Sequence, residues 1–267
     1  NFAMILALVF GLLVTTPTRP VEAAVINYYV STTGSDSNIG TSATKPLRKI
    51  QTAVNKISAG GTIYIMGGTY NESLKFSQSG TSTAPIKLTR YNSTAVTING
   101  GSSPALVLSN AAAKYWIVQG LRLKSTGTLT ISYTAWGCSG SCGGVDHWSF
   151  LSNYISGAVK IYGAYTLFEG NEVDGRYNKG NNGNAVQDMY PASHHNIFRS
   201  NTIHDFPNRG LWSMNRTHDN IFDKNTIYNI TSSSGRCINL DAFGTVEYRH
   251  TVKNNHLYKC YAGAIEL

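Results

Sequence analysis

Three cationic side chains and two carboxylates in the second half of the chain have the residue types needed for acid–base chemistry on an anionic ligand. Lys160 is a candidate general base, and Arg209 and Arg236 are candidates for binding carboxylates in a bidentate geometry. Asp241 and Glu266 are candidate oxygen ligands for Ca²⁺. Each residue also has a structural alternative, namely a solvated lysine or loop arginines bonded to backbone carbonyls.

Two short patterns recur and would bring these side chains together. The first reads apolar-x-x-Asn-x-apolar and occurs five times, with its asparagines 18, 30, 24 and 30 residues apart. These asparagines are Asn153, Asn171, Asn201, Asn225 and Asn255. The second is a four-residue pattern, mostly apolar-apolar-polar-apolar, that starts at Ala158, Ala185, Leu211, Cys237 and Ala264. Short strands repeating every 20–30 residues are typical of a solenoid, and a repeated asparagine predicts a stacked ladder at a bend. A β-sandwich is the alternative, but its strands do not carry such a signature.

The alternation of side chains along a strand predicts which residues face the core. The residues predicted to face inward are Val159, Ile161, Val186, Trp212, Met214, Ile238, Leu240, Ile265 and Leu267. The outward row is predicted to be Lys160, Gln187, Ser213, Asn239 and Glu266. We expect Gln187, Ser213, Asn215, Asn239 and Glu266 to bind substrate along that row. Asp188 falls at an inward position, where a carboxylate is costly unless it is paired.

The segment before these repeats differs from them. Residues 28–30 read as a strand, and Leu47 to Ile57 carry helical spacing that stops at Gly60-Gly61. Residues 61–70 then read as a strand again. A solenoid needs its open hydrophobic end covered, so we expect the helix to act as that lid.

Composition and the N-terminal residues indicate an exported protein. The chain has 267 residues, a formal net charge of +8 and only 13% charged residues, which excludes a disordered tail and a coiled coil. Residues 3–14 are apolar and precede a cleavage-like site near Ala23, so 1–23 are predicted to be a secretory signal peptide that lacks its basic n-region and initiator Met. A buried helix or an uncleaved anchor is the alternative. The domain is then 24–267, secreted, and free of membrane contact after cleavage.

Four cysteines are available in such an exported chain. Cys237 and Cys260 lie about one predicted coil apart, which makes a disulfide between neighbouring coils plausible, and Cys138 and Cys142 could close a small loop. Free thiols and a zinc site are the alternatives, although the spacing matches no familiar zinc pattern.

A family resemblance rests on the run YYVSTTGSDSNIGTSATKPLRKIQTAVNKISAGGTIYIMGGTY (28–70), followed by the asparagine repeats. It resembles right-handed parallel β-helix proteins of the pectate-lyase-like superfamily, and most of all the family-9 and family-6 polysaccharide lyases. The resemblance implies an all-β right-handed parallel β-helix with an N-terminal capping helix. Residues 24–70 would be the cap and first coil and 71–267 the further coils, with more coils expected beyond Leu267 because the chain stops within a strand pattern.

The same resemblance implies a lyase that cleaves an acidic polysaccharide by β-elimination. Ca²⁺, or Arg, Lys or Asn donors, would neutralise the uronate carboxylate while a base removes the neighbouring proton. Family-9 lyases use an Asp cluster for Ca²⁺ and a Lys base, and no Asp-Asp run occurs here. A glycoside hydrolase using Asp241 and Glu266, or a binding protein without catalysis, remains an alternative. Tyr177, Tyr190 and Tyr248 are either sugar platforms or loop packing. The expected partner is an acidic polysaccharide and not nucleic acid, and we expect a monomer.

Overall fold

The chain winds into a parallel β-helix, which confirms the fold class predicted from the repeats. The computed structural model describes residues 25–132, 146–177, 183–189, 193–214, 217–241 and 249–267. One helix, α1 (Ile50–Lys56), accompanies 25 strands in these residues. The strands are β1 (Tyr28–Val30), β2 (Thr62–Ile65), β3 (Gly68–Tyr70), β4 (Leu74–Lys75), β5 (Ile86–Arg90), β6 (Val96–Asn99), β7 (Leu106–Val107), β8 (Trp116–Gln119), β9 (Arg122–Lys124), β10 (Ile131–Ser132), β11 (Ser149–Leu151), β12 (Tyr154–Ser156), β13 (Val159–Ile161), β14 (Leu167–Glu169), β15 (Glu172–Asp174), β16 (Asn184–Met189), β17 (Ile197–Arg199), β18 (Thr202–Phe206), β19 (Arg209–Met214), β20 (Ile221–Asp223), β21 (Thr226–Ile230), β22 (Arg236–Asp241), β23 (Thr251–Lys253), β24 (His256–Cys260) and β25 (Gly263–Glu266).

Three sheets run along the helix axis, and each coil contributes a strand to each sheet in turn. The first sheet has the order β1-β2-β5-β8-β11-β14-β17-β20-β23. The second has the order β3-β6-β9-β12-β15-β18-β21-β24, and the third β4-β7-β10-β13-β16-β19-β22-β25. The ladders pair in parallel, so equivalent residues of successive coils lie about 4.8 Å apart.

The interior is filled by columns of like side chains, one from each coil. Phe150, Phe168, Phe198 and Phe222 pair in register along the first sheet, and all four are buried. The rings of Phe198 and Phe222 stack with centroids 5.3 Å apart. Because alternate residues of each short strand face inward, burial of these columns holds the coils in register.

The predicted asparagine ladder is present at the corner between the first and second sheets. Nδ2 of Asn153 donates to Oδ1 of Asn171 at 3.0 Å, and the same bond links Asn171 to Asn201, Asn201 to Asn225 and Asn225 to Asn255. Each of these Oδ1 atoms also accepts a backbone N–H from the preceding ladder asparagine, for example 2.9 Å from Asn153 N to Asn171 Oδ1. The ladder therefore satisfies buried backbone donors that the bend removes from the sheets.

The sharp backbone turn at this corner lies one residue before each ladder asparagine. The residues there have φ between 53° and 64°, and they are Ser152, Gly170, Ser200, Lys224 and Asn254. The ladder asparagines themselves are not among the residues with positive φ, and they contribute to the corner through side-chain hydrogen bonds.

The N-terminal cap follows the prediction with shorter elements. Helix α1 spans Ile50–Lys56 instead of 47–57, because Leu47 forms a parallel bridge with Val30 before the helix begins. The helix buries Ile50, Ala53 and Val54 against β1, β2 and β4, as a lid would. Residues 61–70 form two strands instead of one, since the chain bends between β2 in the first sheet and β3 in the second.

A disulfide joins Cys237 to Cys260, as the one-coil spacing suggested. Cys138 and Cys142, the predicted signal peptide and Asn215 lie outside the described residues. Across the described ranges, α1 with its seven residues is too short to cross a bilayer, and nothing else helical reaches that length.

Candidate functional site

The third sheet carries the outward row that was predicted to bind substrate, with one residue exchanged. Lys160 pairs with Gln187, Gln187 with Trp212, Trp212 with Asn239, and Asn239 with Glu266. Four of the five predicted members therefore share one row along the helix axis. Gln187 and Asn239 are buried within it, whereas Lys160 and Trp212 are partly exposed and Glu266 is exposed.

The register of β19 corrects the predicted positions of Trp212 and Ser213. Val186 pairs with Leu211, so Leu211 faces the core at 1% exposure, Trp212 faces outward, and Ser213 is buried and cannot contact a substrate on the row. The prediction placed the largest apolar residue inward. Leu211 occupies the inward position instead of Trp212. In this register Ser213 lies opposite the inward Asp188, so its hydroxyl can donate to that carboxyl group.

Most of the other residues predicted to face inward are buried or pack against the core, and the exceptions lie near the C-terminal end of the described coils. Val159, Ile161, Val186 and Ile238 are buried as predicted, and Leu240 packs against the core. Met214 also packs against the core, although the shifted register places it opposite Asp241. Ile265 pairs with the inward Ile238 as predicted and is 45% exposed, and Leu267 is 90% exposed.

Asp188 is buried at its inward position and is paired, as its cost required. Its carboxylate accepts hydrogen bonds from Nδ2 of Asn220 at 2.7 Å, from Nδ2 of Asn196 at 3.2 Å and from Ser213 at 3.4 Å. Burial raises the pKa of Asp188 to about 7, although bonds from Ser193, Ser213 and Asn196 act in the opposite direction. The Asp188 carboxyl group therefore forms hydrogen bonds between neighbouring coils inside the helix, and it does not face the outward row.

The two arginines lie side by side beside the row. Arg209 pairs in register with Arg236, and Arg209 with Asn184 of the preceding coil. The Arg209 guanidinium lies 4.4 Å from the Trp212 ring centroid and donates from Nε to Oδ1 of Asn239. These contacts hold the planar guanidinium of Arg209 beside the row in a fixed orientation.

Asn239 connects the two predicted carboxylates. Its Nδ2 donates to Oδ1 of Asp241 at 2.9 Å and to Oε2 of Glu266 at 3.1 Å. Arg236 lies 3.5 Å from Glu266, and its Nη1 is buried with no hydrogen-bond partner among the described residues. One guanidinium nitrogen beside the row is therefore an unused donor.

The described residues around Asp241 and Glu266 do not form an oxygen cage for Ca²⁺. That ion takes six to eight oxygen ligands, whereas these carboxylates both face an amide N–H₂ group. Two other described groups bring three ligand atoms close together, namely His195, His218 and Asp219, and Glu172, Asp174 and His204. Neither group lies on the outward row, so a calcium requirement stays a prediction.

Lys160 lies at the other end of the row from Glu266. Its ammonium group is 5.1 Å from the Tyr162 ring centroid, and partial burial lowers its pKa below the usual lysine value. Two strand spacings, or about 10 Å, separate the Lys160 strand from the Arg209 strand. A lysine with a lowered pKa has a larger fraction of neutral amine near neutral pH, which is what a general base requires.

The sequence predicted four members of the row but missed Trp212 as the fifth, and it missed Asn184 as a contact of Arg209 beside the row. Trp212 carried no signal that separates it from Trp116 and Trp148, because the indole N–H groups of those two buried residues find backbone carbonyl partners. Asn184 carried no signal either, since its contact with Arg209 depends on the register between β16 and β19.

Comparison with known proteins agrees with this architecture. A family model described as the Pel9A-like right-handed beta-helix region matches residues 28–137. Pectate lyase PEL9 of Emericella nidulans is 44% identical over 78 residues, which are 28% of this chain and 19% of that protein. A GH136 lacto-N-biosidase from Eubacterium ramulus superposes with a TM-score of 0.59 and 12% identity, covering 77% of this chain and 45% of its own. The structure of pectate lyase Pel9A superposes with a TM-score of 0.51 and 13% identity, covering 90% of this chain and 82% of its own.

The sequence match and the structural matches cover different extents. The chain spans less than half the length of the PEL9 and lacto-N-biosidase proteins that it matches. At 12–13% identity, the structural matches show the fold alone. Residues 28–137 therefore carry a Pel9A-like region, and the described chain has the right-handed parallel β-helix fold of pectate-lyase-like proteins.

Proposed function

We propose that this protein is a secreted enzyme that cleaves an acidic polysaccharide by β-elimination, acting as a monomer. The observation that carries the proposal is the continuous outward row from Lys160 to Glu266, with the adjacent Arg209–Arg236 pair beside it. A row along the helix axis suits an extended polymer, and the side chains that it leaves at least partly exposed are Lys160, Trp212 and Glu266. Gln187 and Asn239 are buried, so they position their neighbours and do not contact the polymer. The homologous region of a pectate lyase and the net charge of +8 support an anionic substrate.

The arginine pair supplies the electrostatic part of the reaction. β-Elimination removes the proton next to the uronate carboxylate, so negative charge develops on that carboxylate in the transition state. Arg236 lies beside the row, 3.5 Å from Glu266, and Arg209 is held in position by Asn239 and Trp212. Guanidinium groups held in this way stabilise developing charge without reorganisation at the moment of reaction.

Lys160 supplies the base in the proposed reaction. Its neutral amine takes the proton, the electron pair forms a carbon–carbon double bond, and the glycosidic carbon–oxygen bond breaks. The departing sugar oxygen then takes a proton from water. No step is assigned to Ca²⁺, since the described residues offer no oxygen cage on the row, and a calcium requirement is left to the assay below.

One observation favours a glycoside hydrolase as a second candidate. Asp241 and Glu266 both accept a bond from the same nitrogen of Asn239, which holds them close together. Retaining glycosidases use two carboxyl groups roughly 5–5.5 Å apart. The structural match to a lacto-N-biosidase shows that the fold also occurs in a hydrolase.

The experiment follows products on three acidic polymers. The protein is incubated with polygalacturonate, alginate or chondroitin sulfate, with added Ca²⁺ or with a chelator, and ultraviolet absorbance is recorded alongside reducing ends. A lyase raises both signals. Reducing ends without absorbance would indicate the hydrolase, and retention on the polymer without either signal would indicate a binding protein. Loss of activity with the chelator would establish the calcium requirement.

Single substitutions test the assignment of residues. Lys160→Ala and Arg236→Ala should each lower the rate by at least about 100-fold. Lys253→Ala is the matched control, because Lys253 is an exposed lysine on the first sheet, away from the row. Unchanged rates in both site variants would remove these residues from the mechanism.

A further inference from the structure

The second sheet carries a groove that the proposed reaction does not use. Its volume is about 440 Å³, and it lies on the outer face of the strands from β3 to β12. The third sheet, which holds the row from Lys160 to Glu266, forms a different side of the coil. Arg122, Lys124, Tyr154 and Tyr177 are among the residues that line the groove.

Two exposed cations lie within this groove, on β9 between β6 and β12. Arg122 and Lys124 alternate with the buried Leu123 on β9, so both side chains project outward from one coil. Neither makes an ion pair with a described carboxylate. By contrast, Arg176, Arg199 and Arg249 are each paired with an aspartate or glutamate. Unpaired Arg and Lys two residues apart are donors that suit a carboxylate.

Aromatic and amide groups occur beside these cations. The Arg122 guanidinium lies 4.5 Å from the ring centroid of Tyr154, and the Tyr154 hydroxyl donates to Asp174 at 2.7 Å, which fixes the ring. Tyr177 also lines the groove and is 76% exposed. Thr97 and Asn99 add hydroxyl and amide groups on the neighbouring coil. The groove therefore combines two tyrosine rings, which can contact the face of a sugar, with charged, hydroxyl and amide side chains that can bond its polar groups.

The acidic residues of the same sheet lie away from Arg122 and Lys124. Glu172 pairs with Tyr154, one coil further along the axis, and its carboxylate contacts His204 at 3.2 Å. Asp174 is bonded to Arg176 at 2.7 Å. Asp174 is therefore paired with Arg176 and Glu172 contacts a histidine, whereas the two cations of β9 have no carboxylate partner among the described residues.

We propose that this groove is a second saccharide-binding site, which binds a uronic acid residue through Arg122 and Lys124 while Tyr177 contacts the sugar ring. The choice of ligand rests on the proposed function, because an acidic polymer would offer uronates to both sides of the coil. The groove binds and does not cleave. It raises the residence time of the enzyme on its polymer, as a second attachment point does.

The test separates binding from cleavage. Arg122→Ala/Lys124→Ala is compared with wild type by affinity electrophoresis in polygalacturonate, in alginate and in neutral xylan, and by the rate on a uronate trisaccharide too short to reach both sites. We expect at least about 10-fold weaker retention in an acidic polymer. Migration in xylan and the trisaccharide rate should not change. Lys45→Ala/Lys253→Ala removes the same net charge from two exposed lysines elsewhere and should leave retention unchanged.

The outcomes distinguish this proposal from the proposed function. The second site would be overturned if the double variant were retained as strongly as wild type. It would also be overturned if the charge-matched control lost as much retention as the double variant. Either result would leave any measured cleavage intact. Retention by wild type that disappears in the double variant, without any product, would support the groove and refute the lyase. Absence of wild-type retention in both acidic polymers would overturn the groove. Tyr177→Ala should weaken retention without altering the melting temperature, because its ring is exposed.

Discussion

The indole Nε1 of Trp212 donates a 2.6 Å hydrogen bond to Oδ2 of Asp241, which belongs to the next strand of the third sheet. The bond fixes the Trp212 ring on the outer face, where the Arg209 guanidinium lies over it. An aromatic ring in that position is available to contact a sugar along the row. The same bond occupies one oxygen of the carboxylate that would otherwise be free for a metal ion or for acid–base chemistry.

Substitution of Trp212 should affect binding more than stability. Trp212→Phe removes the N–H donor but keeps a ring, and Asp241 retains its bond from Asn239, so we expect a loss of about 1 kcal/mol in unfolding free energy. Trp212→Ala should raise KM for the polymer by roughly 10-fold with a smaller change in kcat. The control is Trp148→Phe, which removes an equivalent bond to the Ala113 carbonyl inside the core. A KM for Trp212→Ala no higher than that of Trp148→Phe would argue against a role in binding.

The pH dependence of the rate should follow the deprotonation of Lys160. Partial burial lowers its pKa from the usual lysine value, so the neutral base accumulates at lower pH than for a solvated lysine. We therefore expect kcat/KM to rise with pH, with an apparent pKa below about 10.5. Lys160→Met should remove this rise together with most of the activity. A rising limb that persists in Lys160→Met would assign the base to another group.

The repeats predicted the fold because each coil buries the same residue types at the same place. The asparagine spacing marked one corner of every coil, and the flanking apolar residues marked the two strands beside it. The coils differ in length mostly in their loops. The asparagine motifs of successive coils could therefore be aligned with one another without knowledge of the loop conformations. The second sheet groove had no such signal, since Arg122 and Lys124 precede the first ladder asparagine and look like ordinary surface charges.

The register of a single strand limited what could be predicted for the site. Leu211, Trp212 and Met214 are all apolar, so hydrophobic alternation alone allows either Leu211 or Trp212 to face the core. Polar pairing decides between them, because Ser213 lies opposite the buried Asp188 only when Leu211 faces inward. The contacts of Arg209 and Asn239 follow from that register, and they could not be predicted before it was known.

Removal of one ladder asparagine should destabilise the helix strongly. In Asn201→Ala, the Phe168 carbonyl loses a 2.8 Å bond and the Asn171 backbone N–H loses a 2.9 Å bond, and both groups are buried. Two unsatisfied buried groups predict a loss of about 2–4 kcal/mol in urea denaturation. Asn55→Ala, at an exposed position on α1, should stay within about 0.5 kcal/mol of wild type. A ladder variant as stable as this control would show that main-chain pairing alone holds the corner.

The buried Asp188 should make stability fall between mildly acidic and mildly alkaline pH. Burial raises its pKa to about 7 in the folded protein from 3.8, so the folded state retains a proton that the unfolded chain has released. The stability contributed by this group is complete below about pH 4 and is lost as pH rises through 7. His250 acts in the opposite direction over part of this range, because burial lowers its pKa to about 4 and stability from this group rises up to about pH 6.5.

A comparison between wild type and Asp188→Asn isolates the contribution of the carboxyl group. His250 is unchanged in both proteins, so the difference between their melting temperatures should depend on pH only through Asp188. We expect wild type to lose several degrees relative to Asp188→Asn between pH 5 and pH 8, whatever the absolute stability of the variant. The described partners of Asp188 are the neutral residues Ser193, Ser213, Asn196 and Asn220, so added salt should change this difference little. Parallel melting curves across this pH range would mean that Asp188 is already ionised inside the coil, with Asn196 and Asn220 stabilising its charge fully.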